Sequence, residues 1–259
     1  MMWTMRAIAE IRSLIRQRSL LPVQERETII AKRFAALPKR LTYAAERWPL
    51  ERARVLDVGC SYGHCLIHFG PGSVGLDNVR EHVDFCHSLG LDARLADVEG
   101  GLDVVEDGVF DVVWVSDILE HLDAPRLLLR SAAAKLGPDG RLIAFVNVLP
   151  RSRLACRVLR GRGWFDADAH HYQFSVQTAR YLFERAGYRV EQVVVHLLPR
   201  SLDPVAGAFA ALAPVVFVSA RPDRVLQARA LGAERRNKPV AAAVTIMPVN
   251  GRQESRVTT

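Results

Sequence analysis

The stretch Arg54-Val-Leu-Asp-Val-Gly-Cys-Ser-Tyr-Gly63 decides how this chain folds. Val55 to Val58 is a short apolar run that stops at two glycines, Gly59 and Gly63, with Asp57 just before the first. A strand that gives way to a helix through glycines is the opening turn of a parallel sheet. The missing side chains let a ligand approach the backbone. Further on, a second apolar strand, Ser73-Val-Gly-Leu, ends in Asp77. An acid at the tip of that strand is placed to accept hydrogen bonds from ribose hydroxyls.

Outward from this stretch, strand and helix patterns alternate. Apolar runs near 54–58, 73–76, 92–95, 110–116 and 140–147 read as strands, with helices over 80–89 and 125–136 between them. Gly90, Gly137-Pro138 and Asp139-Gly140 punctuate the junctions. A helix over 176–186, a strand over 189–196, a short apolar helix over 204–212 and a last strand over 215–220 complete the pattern. The expectation is an α/β fold with a doubly wound, mostly parallel sheet and right-handed crossovers. So few residues separate Gly63 from Asp77 that the first helix should have only about two turns. Ahead of the sheet, residues 1–20 read as an amphipathic helix, and 24–37 and 40–48 as two more, divided by Pro38. The chain divides into helices at 1–50, the α/β domain at 51–221 with a basic cap near 149–169, and a basic, partly disordered tail at 222–259. In that tail, residues 240–247 read either as an extra strand or as loose chain.

The 259 residues are 49% apolar, enough for a full core without staples. The net charge of +7 reads first as a solvated surface and second as attraction to an anionic membrane or substrate. Nucleic acid comes third, since no aromatic-basic module is present. Cys60, Cys65, Cys86 and Cys156 form no C-x-x-C pair, which suits reduced thiols in a cytosolic protein. The N-terminus alternates arginine with apolar residues, unlike a secretory signal. Its amphipathic helix suits packing on its own domain or a second subunit, as in a homodimer, or peripheral contact with a membrane.

The charge at the turn narrows the ligand. Dinucleotide sites read G-x-G-x-x-G and seat a pyrophosphate on a helix N-terminus. Here the spacing is G-x-x-x-G, and Asp57 would repel a pyrophosphate while suiting an ammonium or sulfonium. That points away from NAD and toward S-adenosylmethionine.

These residues resemble the class I S-adenosylmethionine-dependent methyltransferases from about Arg52 to about Arg221. The resemblance implies a Rossmann-like seven-stranded sheet whose last strand runs antiparallel. It implies that Asp57, Gly59, Cys60 and Gly63 hold the methionine part of the cofactor. Asp77, with Asn78 beside it, takes the ribose. Asp97 and Val98 meet the adenine, and Ser116 touches the cofactor from the end of the fourth strand. Ser61 departs from the family's usual middle glycine. The resemblance also implies that the segment before the first strand helps cover the substrate, and that the acceptor is a small molecule such as a quinone, sugar or lipid intermediate.

Methyl transfer from a sulfonium is an in-line displacement that needs the two reactants held together. A hydroxyl acceptor also needs its proton removed or polarised. Asp117, Glu120 and His121 follow the fourth strand at i, i+3, i+4 spacing, on one face of a helix that begins at Asp117. His170 is the natural fourth member. This set resembles the metal site of certain RNA 2′-hydroxyl methyltransferases and some quinone-pathway enzymes, and would favour manganese, iron or zinc over magnesium. Without a metal, His121 or His170 is the candidate general base. His64, His68, His82 and His87 read as surface or packing residues, Cys60 as a small filler and Trp114 as core. The leading expectation is methyl transfer to a hydroxyl of a small or lipid- or sugar-linked acceptor. A catalytically silent S-adenosylmethionine-binding partner protein and a nucleic-acid methyltransferase are the alternatives.

Overall fold

Residues 7–149, 157, 170–194 and 215–237 are described by the computed structural model of this protein. Seven strands, β1 (Val55–Val58), β2 (Val74–Asp77), β3 (Ala93–Leu95), β4 (Phe110–Ser116), β5 (Leu136–Asn147), β6 (Tyr188–Val194) and β7 (Val215–Pro222), form one sheet. Their order is β3-β2-β1-β4-β5-β7-β6. The first five pair in parallel, while β7 runs antiparallel to both β5 and β6. The expected doubly wound, seven-stranded architecture with an antiparallel last strand is therefore present. The order reverses beside β1, which opens a crevice at the carboxyl edge where β1 and β4 end.

The central strands read as unbroken apolar runs because both faces of the sheet are covered. Along β4, alternate side chains go to opposite faces. Val113 and Val115 join Leu56, Val58, Leu142 and Ala144 under α5 (Pro125–Lys135) and α6 (Val176–Arg185). Val112 and Trp114 join Val55, Ile143, Phe145 and Phe217 under Leu41, Tyr43 and Ala44 of α3 (Lys39–Ala45). Tyr188 is buried and its hydroxyl donates to Leu129 O at 2.7 Å, tying β6 to α5.

The N-terminal helices are α1 (Ile8–Arg18) and α2 (Val23–Arg33), and α4 (Arg80–Ser88) follows β2. Ile11 and Ile15 of α1 are buried with Ile29, Ile30, Phe34, Ile67 and Phe85. The apolar stripe of α1 thus packs on its own domain, which is the first of the readings its sequence allowed. No helix among the described residues is long and apolar enough to cross a membrane.

Several local expectations differ from the structure: the helices expected over 24–37 and 40–48 end at Arg33 and Ala45. The helix expected after β1 is only a 3-10 turn, Leu66–His68. The chain must turn back at once, and Gly70 closes it by donating to Leu50 O and Ala53 O at 3.0 Å each. Strand β5 begins at Leu136, four residues before the expected start, because Leu136 already pairs with Phe110 across a register shift. The chain beyond β7 forms α7 (Arg224–Asn237), where a tail was expected. Asp223 starts it by accepting from the Val225 and Leu226 N–H groups at 2.9 and 3.1 Å. The basic cap (apart from 149 and 157), the short helix over 204–212 and the ambiguous segment 240–247 lie outside the described residues.

Candidate functional site

The crevice at the carboxyl edge is a cavity of about 830 Å³. Its first wall is the turn after β1. The Gly59 and Cys60 N–H groups both donate to Leu76 O, at 2.8 and 2.9 Å, which folds the turn against β2. Gly59 has φ +76°, and a Cβ there would overlap the Ile118 side chain. Glycine is thus required by conformation and by space at once. Ser61 takes φ +50° without being glycine, and its N–H donates to Asp77 Oδ2 at 2.8 Å.

Asp77 ends β2 at the floor of the cavity. Its Oδ1 accepts from the Val79 N–H at 3.0 Å and lies 3.0 Å from His82 Nδ1. His82 in turn meets the Tyr62 ring, with centroids 4.3 Å apart. Asp57 is almost wholly buried, and its Oδ2 has no hydrogen-bond partner among the described residues. Burial, and then the charge of Asp77, push its carboxyl pKa up to about 8. A buried carboxylate left without a partner is costly, and a cationic ligand group would supply one. Asn78, Val79, Asp97, Val98 and Glu99 continue this wall. Asp97 caps its turn by accepting from the Glu99 N–H at 3.0 Å. Glu99 accepts from the Asp123 and Ala124 N–H groups at 2.6 and 3.3 Å, holding the chain ahead of α5.

The opposite wall comes from the end of β4 and from α3. Ser116 Oγ accepts from Arg40 Nη1 at 3.0 Å, and Arg40 also ion-pairs with Asp117. Asp117 has φ +55°, so it stands before the 3-10 turn Leu119–His121 and not on a helix with it. This corrects the expectation of one helical face: Asp117 pairs with Arg40 and accepts from the Asn147 side chain at 3.0 Å, and among the described residues the candidate ligand cluster is Glu120, His121 and His170. Their candidate ligand atoms lie within 4.8 Å of one another. Glu120 is fully buried; Oε1 accepts from the Asn147 side chain, and Oε2 has no hydrogen-bond partner among the described residues. The His121 and His170 rings meet edge to face, 4.7 Å apart. His121 lines the main cavity, whereas His170 lines a small crevice behind it with Asn147 and Val148.

Several expected residues meet on this cavity: Asp57, Gly59, Cys60, Asp77, Asn78, Asp97, Val98, Ser116, Asp117 and His121. Gly63 does not. Its backbone takes φ +73°, and a Cβ there would press on Cys86 of α4 and on Leu91, so glycine is required by conformation and by packing. Cys60 is buried beside Cys86, both thiols donating to Ser61 O at 3.7 and 3.5 Å; its thiol pKa is raised far above normal, and it remains a filler. Two histidines read as packing residues prove to line the cavity, His82 and His64. The signal for His82 was available, since it stands in the first turn of α4, five residues after Asp77. Arg40 carried no local signal, because it meets Ser116 across 76 residues of chain.

A family profile described as a methyltransferase domain matches residues 29–193. A ubiquinone biosynthesis O-methyltransferase of Xanthomonas euvesicatoria pv. vesicatoria is 31% identical over 175 residues, covering 60% of this chain and 71% of that protein. A protein of the same name from Xanthomonas campestris pv. campestris is 36% identical over 127 residues, covering 46% of this chain and 52% of the relative. The chain thus spans about half the length of several of these relatives. Among solved structures, an S-adenosylmethionine-dependent methyltransferase from Mesorhizobium loti superposes with a TM-score of 0.53 at 18% identity, over 70% of this chain and 95% of that one. One from Archaeoglobus fulgidus gives 0.52 at 19% identity, over 71% and 94%. These two structures share the fold.

Proposed function

We propose, from the premise that this chain belongs to the class I S-adenosylmethionine-dependent methyltransferases, that it methylates a hydroxyl oxygen of a small molecule. The cavity fits the donor: an unpartnered buried carboxylate, Asp57, suits its ammonium, and the side-chain-free turn at Gly59 leaves room beside it. When bound, the donor supplies a methyl group activated by its sulfonium. Asp57 would hold the methionine end, Asp77 the ribose hydroxyls, and Asp97 and Val98 the adenine edge. Ser61 and His82 would orient the Asp77 carboxylate, since both contact it.

The observation that carries the oxygen acceptor is His121, which stands on the cavity wall at the end of β4 with His170 and Glu120 packed behind it. A neutral imidazole there can take the proton of an acceptor hydroxyl as the methyl group arrives. His170 would position that ring. The relatives named as O-methyltransferases support the same acceptor atom. The test is labelled-methyl turnover on a panel of hydroxylated acceptors. His121→Ala should cut turnover by about 10²-fold or more and His170→Ala by less, with donor affinity intact in both. Unchanged turnover in both variants would refute the base. Absence of any methyl release in a host extract would favour a silent donor-binding protein.

A second reading rests on the same cluster. One carboxylate and two imidazoles leave open positions on a divalent cation, and Glu120 Oε2 lacks a hydrogen-bond partner among the described residues. The donor set fits manganese, iron or zinc. Glu120, His121 and His170 would hold the ion, which would polarise the acceptor oxygen. Calorimetry with manganese or zinc on the chelator-treated protein, and on Glu120→Gln, separates this reading from the metal-free base.

A further inference from the structure

A single amide side chain joins the two acids that follow β4. Asn147 is the last residue of β5, and its backbone is fixed there by pairing with Val215 of β7. Its Nδ2 donates to Asp117 Oδ1 at 3.0 Å and also to Glu120 Oε1. Those acids lie 30 and 27 residues earlier in the chain. An amide nitrogen carries two hydrogens, so each carboxylate receives one. Asn147 Oδ1 is left buried with no hydrogen-bond partner among the described residues. A flipped amide would set that oxygen against both carboxylates, so the acids fix its orientation.

The consequence falls on Glu120. Backbone bonds pin the turn around it: the Asp117 N–H donates to Phe145 O and the Tyr172 N–H to Glu120 O, both at 3.1 Å. The Glu120 side chain is fully buried, with Oε1 held by Asn147. Held at one oxygen, the carboxylate keeps a single orientation against the His121 and His170 rings. One carboxylate oxygen and one nitrogen of each ring lie within 4.8 Å of one another. On the other side Asp117 pairs with Arg40 of α3. The row Arg40, Asp117, Asn147, Glu120 therefore runs from the helix over the cavity to the histidines.

We propose that Asn147 is a positioning residue for methyl transfer, holding the Glu120 carboxylate in place against His121 and His170. This role rests on the reading of His121 as base or metal ligand. Asn147 lines the small crevice with His170 and not the donor cavity, so it acts through Glu120 and leaves the donor alone. A strand end suits the task, since a side chain on a rigid element can hold another precisely. Misplacement of a reacting group by about 1 Å costs on the order of 10²-fold in rate.

The test compares Asn147→Leu, which removes the donors without adding charge, with Asn147→Asp, which keeps the shape but sets an acid against two others. Imidazole ¹H–¹⁵N spectra are recorded with the protein saturated with S-adenosylhomocysteine. His121 and His170 are assigned by loss of signal in His121→Gln and His170→Gln. Both signals should move in each variant, those of His82 and His87 should not, and S-adenosylhomocysteine affinity should be unchanged. With a hydroxylated acceptor that turns over, kcat should fall about 10- to 100-fold at constant donor KM. In a Glu120→Gln background, Asn147→Leu should change kcat by less than about twofold, because a residue acting through Glu120 has nothing left to hold. Histidine signals that stay in place overturn the proposal, as does an equal fall in kcat with and without Glu120→Gln. Loss of S-adenosylhomocysteine binding in both variants would make Asn147 structural and overturn it too. If Asn147 and Glu120 variants lose turnover together while His121→Ala keeps it, the base reading falls and Asn147 still holds Glu120.

Discussion

Asp57 should couple donor binding to the loss of a proton. Its carboxyl is buried beside Asp77, and its pKa stands near 8 in the folded protein. In the unfolded chain an aspartate titrates near 4. Between about pH 4 and 8 the folded state therefore holds a proton that the unfolded state has released, and stability falls as pH rises. Above about pH 8 both states are ionised and the loss is complete. Roughly four pKa units correspond to an upper bound on the order of 5 kcal/mol. A cationic ligand group reverses the preference by favouring the ionised carboxylate. At pH 7 about nine-tenths of the free protein carries the proton, so donor binding should release about 0.9 proton. Affinity should rise up to about tenfold per pH unit between pH 6 and 7.5. The neighbouring Cys60 and Cys65 thiols are shifted upward, and His64 stays neutral in this range. The assay is calorimetry with S-adenosylhomocysteine in buffers of different ionisation enthalpy, where the slope counts protons. Asp57→Asn should abolish the proton release and melt higher than wild type at pH 8. It should also bind about 10- to 100-fold more weakly, through the loss of a charge-assisted hydrogen bond. Binding that is independent of pH and releases no proton in the wild type would refute the argument.

Two further expectations concern single contacts. Gly59→Ala places a Cβ on Ile118 at a φ of +76°, so it should lower stability by about 1–3 kcal/mol and weaken S-adenosylhomocysteine binding; melting and calorimetry read the two effects. Tyr188→Phe removes the buried bond to Leu129 O and leaves that carbonyl without it, which should cost about 1–3 kcal/mol. A melting temperature within about 1 °C of wild type would show that this bond contributes little.

The fold and half of the site could be read along the chain because both are local there. The run Val55–Val58 is apolar but for Asp57 and buried at every position, as in a strand covered by helices on both sides. Asp57, Gly59 and Asp77 announce the donor end because a tight turn and a strand-end acid need particular residue types at fixed spacing. Gly63 was legible as a required glycine, and its reason is both local and tertiary: the backbone turns to φ +73°, and a Cβ there would also strike Leu91 and Cys86. Helix periodicity placed Asp117, Glu120 and His121 together, but the backbone at Asp117 turns to φ +55° and sends it to Arg40. That partner lies on α3, far away in sequence, and no pattern within β4 or its turn encodes it.

The basic lining of the cavity depended on tertiary structure for the same reason. Arg33, Lys39, Arg40 and His64 come from separate segments, and each reads alone as surface charge or packing. They become one electrostatic environment only when α2 and α3 close over the edge of the sheet. Burial and distance set the strength of a charge interaction, and neither is a property of the sequence until the chain has folded.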